Sequence, residues 1–206
     1  MKRLVIGITG GIASGKTTVM KILAGRGIRT ISADDLAHDC IRRGRPAYRA
    51  IVRRFGTEIL GRDRQIDRHA LGTIVFSNLA KRKTLERIVH PCVAKGLRQF
   101  IRTHHGVMAL DIPLLFEAHY ESWIDKTIVV YCSRAQQVKR LIARNHFSNA
   151  EALARIRSQM PLSVKRQKAD FVLMNTGTRS RLREKLLDNG FASGIIIPVK
   201  TSYRRS

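Results

Sequence analysis

Residues Gly7–Leu23 read GITGGIASGKTTVMKIL, and four of them, Gly10, Gly15, Lys16 and Thr17, fill the fixed positions of the pattern G-x-x-x-x-G-K-[ST]. The run before them, LVIGIT at 4–9, is short, continuous and rich in β-branched residues, as expected of a buried strand in a parallel sheet. After them Val19, Ile22 and Leu23 recur at helical spacing, and Gly25 and Gly27 end the helix. Strand, glycine loop and helix in that order are the setting in which the pattern holds phosphate. Glycines let the backbone curl until its N–H groups surround a β-phosphate, and the helix N-terminus adds partial positive charge. Lys16 then reaches the β- and γ-phosphates, and the Thr17 hydroxyl is a ligand for Mg²⁺. The stretch Gly10, Gly11, Ile12, Ala13, Ser14, Gly15, Lys16, Thr17 and Thr18 is therefore assigned to the phosphates of a nucleotide, with Mg²⁺ beside it.

Outward from this loop the same alternation continues. IRTIS (28–32) reads as a second strand, and VMALDI (107–112), TIVVYC (127–132) and DFVLMN (170–175) read as three more, with helices at 133–144 and 179–190. Strands alternating with helices predict a three-layer α/β fold, a parallel sheet with right-handed crossovers. Between 34 and 105 every periodic segment is helical, with Pro46 and Asp67 placed as helix starters and Pro91 as a kink or break. A further helical piece opens at Ser148, which forms a capping box with Glu151. These patterns divide the chain into a nucleotide core (1–33, 106–139 and 166–190), a helical substrate-side insertion (34–105), a helical lid (140–165) and a flexible tail (191–206).

Composition narrows the class. With 206 residues, 44% of them hydrophobic, the chain can bury one ordinary core, with a sub-domain inserted. The N-terminal apolar run is broken by glycines and lacks a cleavage site, so it is not expected to be a signal peptide, and no segment approaches a membrane span. Cys40, Cys92 and Cys132 are odd in number, far apart and in no CxxC pair, which predicts free thiols and a reducing, cytoplasmic compartment. No HExxH or Cys–His spacing points to a structural metal. The 39 Lys and Arg against 15 Asp and Glu give a formal charge of +24, which favours polyanions. The basic residues run along the whole chain and are not gathered in an aromatic-rich arm, so only incidental polyanion affinity is expected, with no specific nucleic-acid partner. A monomer or weak homo-oligomer is the expected state.

Nucleotide binding does not name a reaction. A GTPase needs N-K-x-D and D-x-x-G motifs, and neither occurs. Asp111, at the end of the third strand in LDIPLLFE, stands where an acid near the Mg²⁺ shell belongs, the alternative being a carboxylate that only caps the strand. The arginines of KRLIAR and ARIR flank a short helical flap that could close over transferring phosphates and exclude water.

From IGITGGIASGKTTV through ISADDLAH, FGTEIL, IDRHALGTIVF, LERIVHPCV, DIPLLFE, VVYCSRAQQVKRLIAR and RIRSQM to KADFVLMNTG, the chain resembles the dephospho-CoA kinases. The pairing of HP with DIPLLFE is the most specific part. The resemblance implies a P-loop kinase fold and transfer of the ATP γ-phosphoryl, with Mg²⁺, to the ribose 3′-hydroxyl of dephospho-CoA, the last step of coenzyme A synthesis. It also implies that Asp34 receives the hydroxyl, that Arg68, His90, Pro113, Leu114 and Leu115 line the acceptor site, and that Arg140 and Arg144 are lid arginines at the ATP phosphates. Asn175 to Gly177 then lies where such kinases hold adenine by backbone contacts. Other readings stay open: a helix-kink role for His90, a core role for the leucines, and Asp35 as the rival of Asp34. Three positions depart from the family pattern. Ser32 stands where many members carry aspartate, His38 where arginine is common, and Asn145 where aspartate often follows the lid arginine.

Two other classes compete. A kinase for a different small acceptor should lack the HP and DIPLLFE pairing, and a nucleic-acid binder should discriminate between sequences as well as respond to salt.

Overall fold

The structure, a computed structural model, describes residues 3–76 and 78–188. The expected tail at 191–206 lies outside the described residues. The chain forms two compact units, one comprising residues up to Ile31 and from His104 onward, the other Ser32–Thr103.

The first unit is built on a five-stranded parallel sheet with helices on both sides. Its strands are β1 (Leu4–Thr9), β2 (Arg29–Ser32), β3 (Val107–Asp111), β4 (Lys126–Tyr131) and β5 (Phe171–Met174), in the order β2-β3-β1-β4-β5. β1 sits in the middle, with Ile6 opposite Ala109 on one side and Lys126 on the other, and it is buried throughout from Val5 to Thr9. A strand covered on both faces must be apolar along its whole length, which is why LVIGIT is continuous and not alternating. Helix α1 (Lys16–Ala24) and helix α9 (Arg179–Asp188) lay Val19, Leu23, Leu182 and Leu186 on Ile6, Ile8, Ile128, Val130 and Leu173. Asp170 fastens the start of β5 to β4, accepting from the Thr127 amide and hydroxyl at 2.7 Å each. Burial alone would raise the Asp170 pKa, but the Thr127 hydrogen bonds and Lys126 together hold it below the ordinary carboxylate value.

Helices α6 (Arg134–Asn145) and α7 (Asn149–Arg157) follow β4, each opened by a full capping box, Ser133 with Gln136 and Ser148 with Glu151. A further helix, α8 (Leu162–Lys168), stands before β5 and runs past the end of the expected helical lid at 165. Its sequence, LSVKRQK, offers no apolar face; its buried residue is Lys165.

The second unit contains α2 (Ala33–Cys40), α3 (Pro46–Phe55), α4 (Arg68–Phe76) and α5 (Leu79–Thr103). Pro46 starts α3, and the Asp67 carboxylate caps α4 by accepting from the amides of His69 and Ala70. Ile51, Phe55, Ile59, Ile66, Leu71 and Val75 form its core. Pro91 does not break α5, which runs unbroken past it; the ring lies on the exposed side, and the next turns are anchored by Val93, Leu97 and Ile101.

The expectation of three free thiols is corrected. Cys40 and Cys92 form a disulfide, with Cα atoms 6.1 Å apart, and Cys132 is the buried free thiol. Leu36 and Cys40 are one turn apart on α2, and Cys92 and Gly96 one turn apart on α5. A Cβ on Gly96 would lie 2.8 Å from Leu36 Cδ2, so the glycine lets the helices approach until the cysteines fall within bridging range. With that bond present, the cysteines no longer argue for a reducing compartment. Among the described residues no helix is long and apolar enough to cross a membrane.

Candidate active site

The loop between β1 and α1 is held from behind, carbonyl by carbonyl. Gln137 Nε2 donates to Ile12 O at 2.7 Å, Arg140 Nη1 donates to Ala13 O and Ser14 O at 3.2 and 3.3 Å, and Asn175 Nδ2 donates to Ser14 O at 2.7 Å. Arg140 Nη2 also donates to Asn175 O at 3.0 Å, and the Asn175 amide donates to Tyr131 O, so the end of β5 is locked into the same brace. In a planar trans peptide the N–H points opposite to the C=O. With the carbonyls of Ile12 and Ser14 taken outward, the N–H groups of Ala13 and Gly15 therefore face the inner edge, beside the first turn of α1. The partial positive charge of the helix N-terminus adds to these N–H groups, so this edge attracts anions. Gly15 turns the chain at φ 100°, and a Cβ there would collide with Asn175 Nδ2, which leaves glycine as the residue that fits. Ala13 also lies in the left-handed region, at φ 58°, at a cost of about 1 kcal/mol that the Arg140 contact to its carbonyl helps offset.

Positive charge gathers at this edge. The Lys16 ammonium lies over the loop, donating to Gly10 O at 3.0 Å and Gly11 O at 3.2 Å. Cys132 registers the field: burial pushes its thiol pKa up, while Arg140 and Lys16 pull it down. Thr17, in the first turn of α1, is exposed, and Asp111 ends β3 opposite Ile8 of β1. A hydroxyl and a carboxylate are oxygen donors of the kind Mg²⁺ takes, and Mg²⁺ typically uses one or two protein oxygens, with phosphate and water completing its shell. The donor types fit such an ion. No group of three or more His, Cys, Asp or Glu able to hold a metal occurs among the described residues.

Comparison with known proteins bears directly on this loop. The dephospho-CoA kinase family profile matches residues 4–180. A Carboxydothermus hydrogenoformans protein named dephospho-CoA kinase is 50% identical over 187 residues, covering 89% of this chain and 91% of its own. The chain belongs to the dephospho-CoA kinase family. Among solved structures, a dephospho-CoA kinase from Campylobacter jejuni aligns with TM-score 0.67 at 32% identity, over 92% of this chain and 98% of its own. A Thermus thermophilus protein aligns with TM-score 0.81 at 35% identity, over 95% of this chain and all of its own. The fold is thus the α/β P-loop kinase fold, and the family is a kinase family that catalyses the last step of CoA biosynthesis.

Within this family frame the remaining expected residues divide between the two units. Pro113, Leu114 and Leu115 follow β3 in the first unit; Thr9 Oγ1 donates to Pro113 O at 3.1 Å, Leu114 is half-buried, and Leu115 is wholly buried beside Gly7. The Leu115 side chain is therefore core. Arg144 is exposed one turn beyond Arg140, with Nε donating to Asn145 Oδ1 at 2.9 Å. Gly177 is exposed after β5, and the neighbouring Thr176 carbonyl accepts from Gln136. In the second unit, Asp34 and Asp35 are both exposed in the first turn of α2, Arg68 is exposed at the start of α4, and His90 is half-buried on α5. Ser32 is the N-cap of α2, its hydroxyl accepting from the Asp35 amide at 3.2 Å. Serine and aspartate cap helices about equally well, which accounts locally for the departure at this position.

Gln137 and Gln159 were not expected at the loop. Gln159 Oε1 accepts from the Ile12 amide at 2.9 Å across 147 residues of sequence, and no spacing rule reaches that far. Gln137 carried a weak signal, lying three residues before Arg140 and so on its helical face.

Proposed function

We propose that this chain transfers the γ-phosphoryl group of ATP to the ribose 3′-hydroxyl of dephospho-CoA, giving CoA and ADP. The observation that carries the reading is the braced phosphate loop with Lys16 over it, in a chain that aligns with dephospho-CoA kinases along almost its whole length. The inner N–H edge of the loop receives the β-phosphate, and the Lys16 ammonium moves from the Gly10 and Gly11 carbonyls to the β- and γ-oxygens. Thr17 and Asp111 would hold Mg²⁺, which would supply positive charge to neutralise that of the phosphates. Asp34 accepts the hydrogen bond of the ribose hydroxyl and later its proton, because a secondary alcohol is a weak nucleophile at neutral pH. Arg68, His90, Pro113 and Leu114 face the acceptor, and the helical unit 32–103 serves as the acceptor side, with 140–165 as the lid.

Arg140 acts through the loop: its two terminal nitrogens already hold three carbonyls. Arg144, exposed on the next turn, is the arginine that meets the phosphates. Asn175 has both its backbone groups engaged, so adenine is met by the backbone at Gly177. The working form is a monomer or weak homo-oligomer in the cytoplasm, where ATP is supplied, and its high charge brings no specific nucleic-acid partner.

The test is an assay with ATP, Mg²⁺ and dephospho-CoA, the product being read by mass and by the position of the new phosphate in NMR. Phosphorylation at the 3′ position is expected. No phosphorylated product, or a 2′ product, overturns the proposal.

A further inference from the structure

The least exposed charged side chain among the described residues carries no role in the steps above, although it stands at the end of the lid segment. Lys165, on α8, has 0% exposure. Its ammonium donates to Glu117 at 2.8 and 3.0 Å and to Pro113 O at 2.6 Å. Pro113 and Glu117 lie four positions apart in the turn that follows β3, residues 113–119, across which Ala118 N donates to Leu114 O. One ammonium therefore ties two points of that turn together.

The contacts around this clamp close into a ring through the phosphate loop. Pro113 O also accepts from Thr9, the residue before Gly10. Glu117 Oε1 accepts from Met160 N at 3.0 Å, and the adjacent Gln159 accepts from the Ile12 amide. From Thr9 the path runs through Pro113, Lys165, Glu117, Met160 and Gln159 to Ile12, and the backbone of Gly10 and Gly11 completes it. Burial pushes the Lys165 pKa down, with Glu117 opposing the shift. Packing alone does not call for such a pair, since apolar residues of similar volume commonly fill a site of this kind with equal or greater stability. Directional bonds to a carbonyl and a carboxylate impose a geometry that apolar packing does not.

We propose that Lys165 and Glu117 are a positioning pair, which sets the Pro113–Glu117 turn against the phosphate loop so that the acceptor is presented at the right distance from the transferring phosphoryl group. The functional part of this rests on the reading that the turn borders the acceptor. Lys165→Met alone strands a carboxylate, so the informative variant is Lys165→Met with Glu117→Met, which removes the bonds and keeps the volume. Glu117→Gln, which keeps shape but not charge, is the second.

The double variant is expected to melt within a few degrees of the parent. Its KM for dephospho-CoA should rise about tenfold and its kcat fall by a similar factor, while the Kd for ATP stays within about threefold. Amide hydrogen exchange across 113–118 should quicken, with β1 and β3 unchanged. Glu117→Gln should move the same quantities in the same direction by a smaller factor. Parent kinetics in the double variant, or unchanged exchange across 113–118 in both variants, overturns the proposal. So does an ATP Kd that rises as much as the acceptor KM. If the parent protein does not phosphorylate dephospho-CoA, the activity reading fails by itself, and the exchange measurement still decides whether the pair holds the turn.

Discussion

Replacing Arg140 with alanine separates two roles that a basic residue near a phosphate loop can have. In the structure its guanidinium is bonded to the carbonyls of Ala13, Ser14 and Asn175 at 3.0–3.3 Å. Hydrogen bonds from a charged donor contribute roughly 1.5–3 kcal/mol each when short; at these lengths and partial burial about 1 kcal/mol each is a fair value. Two of the three restrain the loop, so the variant loses about 2 kcal/mol of preference for the phosphate-receiving shape, against a left-handed Ala13 that favours relaxation. Apparent affinity falls with the population of the competent form, and about 2 kcal/mol corresponds to roughly a 30-fold rise in the Kd for ATP. Once ATP is bound the loop is restored, so kcat at saturating ATP should stay within about threefold of the parent. Arg140→Lys keeps the charge but loses the planar fork, and should raise Kd by roughly five- to tenfold. ATP titration by calorimetry, with kcat measured at saturating nucleotide, makes the comparison. A thousandfold loss of kcat with unchanged ATP affinity would refute this reasoning and place the guanidinium on the transferring phosphoryl group.

Three further outcomes are expected. Asp34→Asn should lower kcat by about two to four powers of ten with ATP affinity retained, whereas Asp35→Asn, which removes only a charge from the first turn of α2, should cost less than about tenfold; parallel kinetics on both decide it, and the reverse order moves the base by one position. Breaking the Cys40–Cys92 bond, which spans 52 residues, should destabilise the chain by about 4 kcal/mol on the chain-entropy account. That is roughly 10 °C in Tm, and thiol titration of the unreduced, denatured protein should find one thiol, three being the contrary result. Asp170 has a folded-state pKa below its ordinary 3.8, so its contribution is present above that value and is lost as pH falls through the lower folded value; acid denaturation of Asp170→Asn should be flatter below about pH 4, and an unchanged profile would remove this carboxylate from the acid response.

What the sequence determined was whatever lies within a few residues of itself. The phosphate loop is one continuous stretch, so the glycines, Lys16 and Thr17 announce it without any knowledge of the fold. Caps such as Ser148 with Glu151 act over three positions, and the apolar run of β1 shows directly that both its faces are covered. Strand ends were legible to within about a residue for the same reason.

Tertiary structure decided which side chains hold that loop and where buried charge and sulfur meet. Asn175 reaches Ser14 across 161 residues because β1, β4 and β5 run parallel in register and deliver their carboxyl ends to one edge. A lysine reads as a surface residue until a carboxylate 48 positions earlier is brought beside it, since only that pairing offsets the cost of taking its charge out of water. Cys40 and Cys92 read as separate thiols until Gly96 lets α2 and α5 close to bridging distance. Each of these depends on the distance between segments remote in sequence, and local pattern records only what neighbours along the chain require of one another.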